Sequence, residues 1–292
     1  MNELFLYFQH NTLFFSLSIA TLGLLVGSFL NVVVYRLPIM LQRNWTSECL
    51  SFLSREDEIT TEAELFNLST PRSRCPSCKH LISSIENIPV ISYIFLKGRC
   101  RNCKSAISIR YPLVELTTAC LSFAIALQFG VSIQTCAALI FTWTLICLAL
   151  IDFDTQLLPD SITLPLLWSG LFFSLFHTFT DPVTSIIGAL AGYLSLWSVY
   201  WAFKIITKKE GMGYGDFKLL AAIGAWLGWQ ALPLVIMLSA FVGAIIGISL
   251  IIIQGRHKST PIPFGPFLAI AGFIALIWGD YINEFYLHLV GL

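Results

Sequence analysis

Two groups of residues in this chain have the types and spacing to do chemistry. The first is a set of carboxylates at the ends of apolar runs. Asp152-Phe153-Asp154 is followed shortly by Asp160, and Asp216 closes Gly211-Met212-Gly213-Tyr214-Gly215-Asp216. An aspartate where hydrocarbon begins costs roughly 2.5–3.5 kcal/mol if it sits deep, so each needs a reason to be there. Two carboxylates brought within about 3 Å cannot both ionise; one keeps its proton while the other stays charged. Such a pair can take a proton from water and give one to a leaving amine, which is peptide hydrolysis without a covalent intermediate. Glycines before Asp216 let another backbone approach closely, as an extended peptide must in order to be cut.

The second group is Cys75-Pro76-Ser77-Cys78 and Cys100-Arg101-Asn102-Cys103, with 21 residues between the pairs. Two Cys-x-x-Cys pairs at this distance predict a tetrahedral Zn²⁺ site, each pair forming one knuckle. A segment this small has little core of its own, so the metal would supply folding free energy. A reducing cytosol favours thiolate–metal bonds over disulfides. Cys49, Cys120, Cys136 and Cys147 have no paired spacing, and His80 reads as a surface histidine because four cysteines already close the site.

Residue chemistry leaves several assignments open. Asp216 could be a helix cap, and Asp160, after Pro159 and before Ser161, reads best as one. Asp152 and Asp154 point to different faces of a helix, and either could meet Asp216. Glu115, in Tyr111-Pro112-Leu113-Val114-Glu115, is a further acid entering an apolar run. Carboxylates in membranes also build proton relays, so a proton-coupled transporter competes with the enzyme reading, as does a zinc-anchored scaffold of a secretion system. No internal repeat of the transporter kind is visible, and a scaffold has no need of Gly-x-Gly-Asp.

The elements that must position these groups are membrane helices. The chain has 292 residues, 56% hydrophobic and 12% charged, against about 25% charged for a soluble domain. Its mean hydropathy is +0.77. A span needs about 20 apolar residues, and such runs fall at 13–35, 112–130, 133–151, 159–177, 184–206, 217–231, 232–253 and 264–283, with Pro233 marking the sixth-to-seventh turn. The fold class is therefore an all-α polytopic membrane protein of about eight transmembrane helices, with a small zinc-knuckle domain between the first and second. The domains are 1–36, an N-terminal helix; 37–111, the zinc domain; and 112–292, a seven-helix membrane domain. The first run has no small-residue cleavage site and reads as a retained helix. All but six of the 17 lysines and arginines lie between Arg36 and Arg110; the six are Lys204, Lys208, Lys209, Lys218, Arg256 and Lys258. The positive-inside rule puts these loops in the cytoplasm, with both termini outside and Asp152 and Asp216 at similar depth on the cytoplasmic side. Zero net charge argues against nucleic acid as a partner.

The motifs in order resemble those of the bacterial type IV prepilin leader peptidases. They are Gly27-Ser28-Phe29-Leu30-Asn31-Val32-Val33, the double Cys-x-x-Cys segment, Glu86-Asn87-Ile88-Pro89, Arg110-Tyr111-Pro112-Leu113-Val114-Glu115, Ile151-Asp152 through Leu157-Leu158-Pro159-Asp160, Gly213-Tyr214-Gly215-Asp216 and Pro261-Ile262-Pro263-Phe264-Gly265-Pro266. The resemblance implies a bifunctional aspartic protease of the inner membrane with Asp152 and Asp216 as catalytic acids, and it selects Asp152 over Asp154. It implies cleavage of prepilins and pseudopilins after a glycine, then methylation of the new N-terminal amine, usually on phenylalanine, with S-adenosylmethionine. No Rossmann-type glycine loop is present, so the S-adenosylmethionine site stays unassigned. Acidic residues Glu56, Asp57 and Glu58 are expected to attract the basic leader. Gly27 and Ser28 read as small residues for helix packing, and 261–266 is expected at the cytoplasmic mouth.

Overall fold

The computed structural model describes residues 3–53, 66–83, 85–254 and 262–290. Glu56, Asp57, Glu58, Glu62 and Glu64, with Arg256, Lys258 and Pro261, lie outside the described residues. The chain forms two compact units, 1–130 and 131–292, and the described residues contain helices and no strand longer than an isolated bridge.

The first unit holds α1 (Glu3–His10), α2 (Thr12–Phe52), the short α3 (Ile91–Phe95) and α4 (Arg110–Phe129). Helix α2 runs for 41 residues, about 60 Å at 1.5 Å per residue, twice the hydrocarbon thickness. The predicted span at 13–35 is its first half. The helix continues through Pro38 to Phe52, and the returning chain packs on it around Arg36 and Arg43 while residues 42–49 are exposed. The buried Arg36 guanidinium donates to the carbonyls of Asn67 at 2.8 Å and Pro71 at 2.6 Å, and Phe66 lies beneath both Arg36 and Arg43. Ser16, Gly23, Gly27, Leu30 and Val34 are buried on α2, the three-or-four spacing of one helical face. The two glycines on it let α4 approach backbone to backbone. A methyl on Gly23 would lie 2.9 Å from the Ala119 Cα, and one on Gly27 would lie 2.8 Å from the Glu115 Cα. Gly27 fits the small-residue reading, whereas Ser28 bonds to Glu115.

The second unit holds α5 (Ile133–Thr155), α6 (Asp160–Ser174), α7 (Pro182–Thr207), α8 (Tyr214–Leu227), α9 (Leu232–Gln254) and α10 (Gly265–Val290). Its centre is α8, on which ten of 14 residues are buried. At about 21 Å α8 is shorter than a bilayer, and it is wrapped by protein on most sides. Gly188 of α7 meets the Gly224 carbonyl of α8 directly, and the Ser185 hydroxyl donates to the Ala225 carbonyl. Trp226 anchors the far end of α8. Its ring covers Gly170 of α6, its Nε1 donates to the Leu166 carbonyl at 2.8 Å, and Phe141 and Phe173 pack against it. Gly228, at φ +83°, ends the helix, and a single turn at Trp229–Ala231 leads into α9 beside Pro233.

Each of the eight apolar intervals read from sequence coincides with a helix. Five, namely α2, α4, α5, α7 and Trp229–Ser249 around α9, are long and apolar enough to cross a membrane; α6, α8 and the apolar part of α10 are shorter.

Candidate active site and metal centre

Helix α5 ends one turn after Asp152. Gln156 takes the left-handed conformation at φ +56° and its N–H donates to the Asp152 carbonyl at 2.8 Å. That cap turns the chain into Leu157-Leu158-Pro159 and leaves the Asp152 side chain facing the interior, 5% exposed. Asp154, two residues on, is exposed at the same helix end, as a rotation of about 200° requires. Asp216 lies in the first turn of α8, after the extended Gly213, and is 6% exposed. Its charge and that of Asp152 act on each other across the gap between α5 and α8.

Three chain segments close around the pair. The Gly265 N–H donates to Asp152 Oδ2 at 2.9 Å. Leu158 bridges two glycines beside the acids: a methyl on Gly215 would lie 2.6 Å from Leu158 Cβ, and one on Gly265 would lie 3.3 Å from Leu158 Cδ2. Neither glycine could carry a side chain without moving this wall. The loop before α8 is tied down separately. Lys204 donates to Glu210 at 2.9 Å and to the Tyr200 hydroxyl at 3.1 Å, and the tilted Tyr200 and Tyr214 rings each meet Phe217 edge to face. Two dry carboxylates at the facing ends of two helices can do acid–base chemistry on a bond brought between them.

Asp160 is not the helix cap read from its position. Pro159 occupies that place, and the Asp160 carboxylate accepts two hydrogen bonds from Lys218 Nζ, at 2.6 and 2.7 Å. Lys218 comes from α8, and sequence distance hid it. Glu115 has also found its explanation. It is buried in α4, its Oε2 accepts the Val90 N–H at 2.7 Å, and the Ser28 hydroxyl bonds to it as well. It joins the loop after Glu86-Asn87-Ile88-Pro89 to α2 and α4. Sequence reasoning also missed the Gly265–Asp152 bond; its signal was a lone glycine set between Phe264 and Pro266.

The four cysteines come together within 4.8 Å of one another. Cys75 and Cys103 Sγ are 3.8 Å apart and Cys78 and Cys100 Sγ 4.0 Å, close to the roughly 3.8 Å edge of a tetrahedron with 2.3 Å Zn–S bonds. The residues present fit a tetrahedral thiolate metal. The two knuckles repeat one geometry: Cys75 and Cys100 each accept, at the main-chain carbonyl, the backbone N–H of the residue four positions on, Lys79 and Lys104, both at φ +60°. Their own N–H groups donate to the His80 and Ser105 carbonyls at 2.9 and 2.8 Å. The Cys78 and Ser77 amides and the Ser105 hydroxyl stabilise the Cys75 thiolate, lowering its pKa to about 6, and Ser105 lowers Cys103 in the same way. His80 is no ligand; its Nε2 lies 3.8 Å from Glu86, which the Ser83 amide and hydroxyl hold below the ordinary carboxylate range. Cys49, Cys120, Cys136 and Cys147 are free thiols.

The fold and site thus define a multi-pass helical membrane protein with a four-cysteine cluster able to hold a metal in one unit and two buried aspartates in the other. Two family models cover these units: the bacterial peptidase A24 N-terminal domain matches residues 21–129, and the type IV leader peptidase family matches residues 139–248. A protein of Aeromonas salmonicida (strain A449) is 57% identical over 278 residues, 95% of each chain. One of Stutzerimonas stutzeri is 54% identical over 286 residues and one of Pseudomonas aeruginosa 54% over 285, each covering 98% of both chains. All three relatives are named prepilin leader peptidase/N-methyltransferase. No solved structure matches the chain. The chain belongs to the type IV leader peptidase family and is an enzyme of that family.

Proposed function

We propose that this enzyme removes the leader peptide of type IV prepilins and type II secretion pseudopilins, and then N-methylates the new N-terminal residue. The observation that supports the peptidase half is two buried aspartates, Asp152 and Asp216, whose charges act on each other at the end of α5 and the start of α8. Asp152 and Asp216 act as the catalytic pair: one carboxylate takes a proton from water as it adds to the scissile carbonyl, and the other protonates the departing amine. The methylation half is supported by the names of relatives matched along almost the whole chain. S-adenosylmethionine supplies the methyl group.

The enzyme works from the cytoplasmic face of the bacterial inner membrane. The segregation of lysine and arginine supports that orientation. Residues 37–111 form a cytoplasmic domain held by a structural Zn²⁺ on Cys75, Cys78, Cys100 and Cys103, between the N-terminal membrane segment of residues 1–36 and the membrane domain of residues 112–292. The zinc takes no part in cleavage; it fixes two knuckles that have almost no apolar interior.

Purified enzyme incubated with a prepilin, with and without S-adenosylmethionine, tests the proposal. Mass spectrometry should find a shortened chain in both cases and a methylated one only with the cofactor. An intact prepilin after long incubation, together with proton flux in liposomes, would favour a transporter instead.

A further inference from the structure

Helix ends alone would place charge in the pair one way. Asp216 lies at the N-terminal end of α8, where the peptide dipoles favour an anion, and Asp152 at the C-terminal end of α5, where they oppose one. The structure adds one donor that acts against this. Gly265 opens α10, and the first N–H groups of a helix have no partner within it. Its N–H is spent on Asp152 Oδ2 at 2.9 Å, in a buried setting. The Asp216 carboxylate accepts no comparable bond among the described residues; the Gly213 main chain lies near it at looser geometry. A direct hydrogen bond to a charged oxygen in a dry site outweighs the diffuse field of a helix end. The contact also requires glycine: a methyl at 265 would lie 2.6 Å from Asp152 Oδ2 and 3.2 Å from its carboxyl carbon.

We propose that the Gly265 N–H holds Asp152 as the charged, water-activating member of the pair and leaves the shared proton on Asp216, which makes Gly265 a positioning residue for cleavage. The inference rests on the reading of Asp152 and Asp216 as the catalytic pair. In the reaction it describes, Asp152 removes a proton from water while the oxygen bonds to the scissile carbon. Asp216 then gives its proton to the nitrogen as the C–N bond breaks. Transfer of the new proton from Asp152 to Asp216 restores the resting pair.

The test uses full-length enzyme in which the Phe264–Gly265 amide is replaced by an ester, removing the N–H while keeping the shape. A Gly265→Ala variant, which keeps the N–H but crowds the carboxylate, is measured beside it. Both are expected to lose about 10- to 100-fold in kcat, the worth of one hydrogen bond to a charged group. KM for prepilin should stay within about two-fold. A role in holding substrate would raise KM instead and would overturn the proposal. Wild-type kcat in the ester enzyme, with Asp152→Ala and Asp216→Ala both inactive, would refute the role of Gly265 and leave the pair standing. Normal cleavage by either aspartate variant would remove the pair itself, and the inference with it.

Discussion

The crossing of α7 on α8 is expected to set the rate of cleavage, and Gly192→Ala tests this. A methyl at 192 would lie 2.6 Å from the Leu220 carbonyl oxygen, 2.9 Å from its carbon and 3.0 Å from the Ala221 Cα. All three atoms are backbone, so no rotamer change can absorb the added carbon. Carbon–oxygen contacts begin near 3.3 Å, so α8 must retreat by about 0.7 Å at that point. Leu220 lies one turn beyond Asp216 on the same helix, and the carboxylate moves with it. Overpacking of this kind costs about 1–3 kcal/mol of stability. A misplacement of about 1 Å at a reacting group can cost roughly 100-fold in rate, so the expected loss in kcat is about 10- to 100-fold, or 1.4–2.7 kcal/mol. KM should change little, because Gly192 packs against α8 away from the ends of α5 and α8 that carry the acids. The assay is steady-state prepilin cleavage with thermal unfolding measured on the same preparation. Gly279→Ala is the control, since its nearest neighbour would be Ala275 Cβ at 3.9 Å. If Gly192→Ala lowers the unfolding temperature but keeps wild-type kcat, the helix crossing does not position Asp216.

The remaining expectations concern the first unit. Hydrogen bonds hold the Cys75 and Cys103 thiols below the ordinary value while Cys100 is raised, so protons compete with metal for the cluster as pH falls. Zinc retention against a chelator should therefore fall as pH drops, and Ser105→Ala, which removes a donor that lowers Cys75 and Cys103, should move that fall to higher pH. Retention that is unchanged with pH would argue against thiolate ligation. Glu115→Ala leaves the Val90 N–H without its acceptor and should cost about 1–3 kcal/mol in unfolding. Glu115→Gln keeps an acceptor and should cost clearly less; equal losses would mean the carboxylate charge is what matters.

What was legible in the sequence was what is local or additive. The cysteine cluster could be read because each pair sits in one short knuckle, and the spacing carries the geometry. The helices could be read because hydrophobicity sums along a run. Pairings across the chain could not. Asp160 looked like a cap because its neighbours are proline and serine, and nothing nearby announced Lys218. Arg36 looked like the end of the first helix because its acceptors, Asn67 and Pro71, come after a long acidic stretch. The bond from Gly265 to Asp152 joins two motifs that were each visible and whose contact was not. Asp152 and Asp154 could not be told apart by chemistry. The resemblance selected Asp152, which is the one buried at the end of α5 while Asp154 is exposed.

The central claim is that Asp152 and Asp216 together cut the leader peptide. It is tested most directly by the cleavage rate of Asp152→Ala and Asp216→Ala, each purified as a folded protein that elutes and melts like the wild type. Each should cut prepilin at least about 100-fold more slowly, whereas an alanine variant of the exposed Asp154 should cut normally. A wild-type rate from either Asp152→Ala or Asp216→Ala would contradict the account.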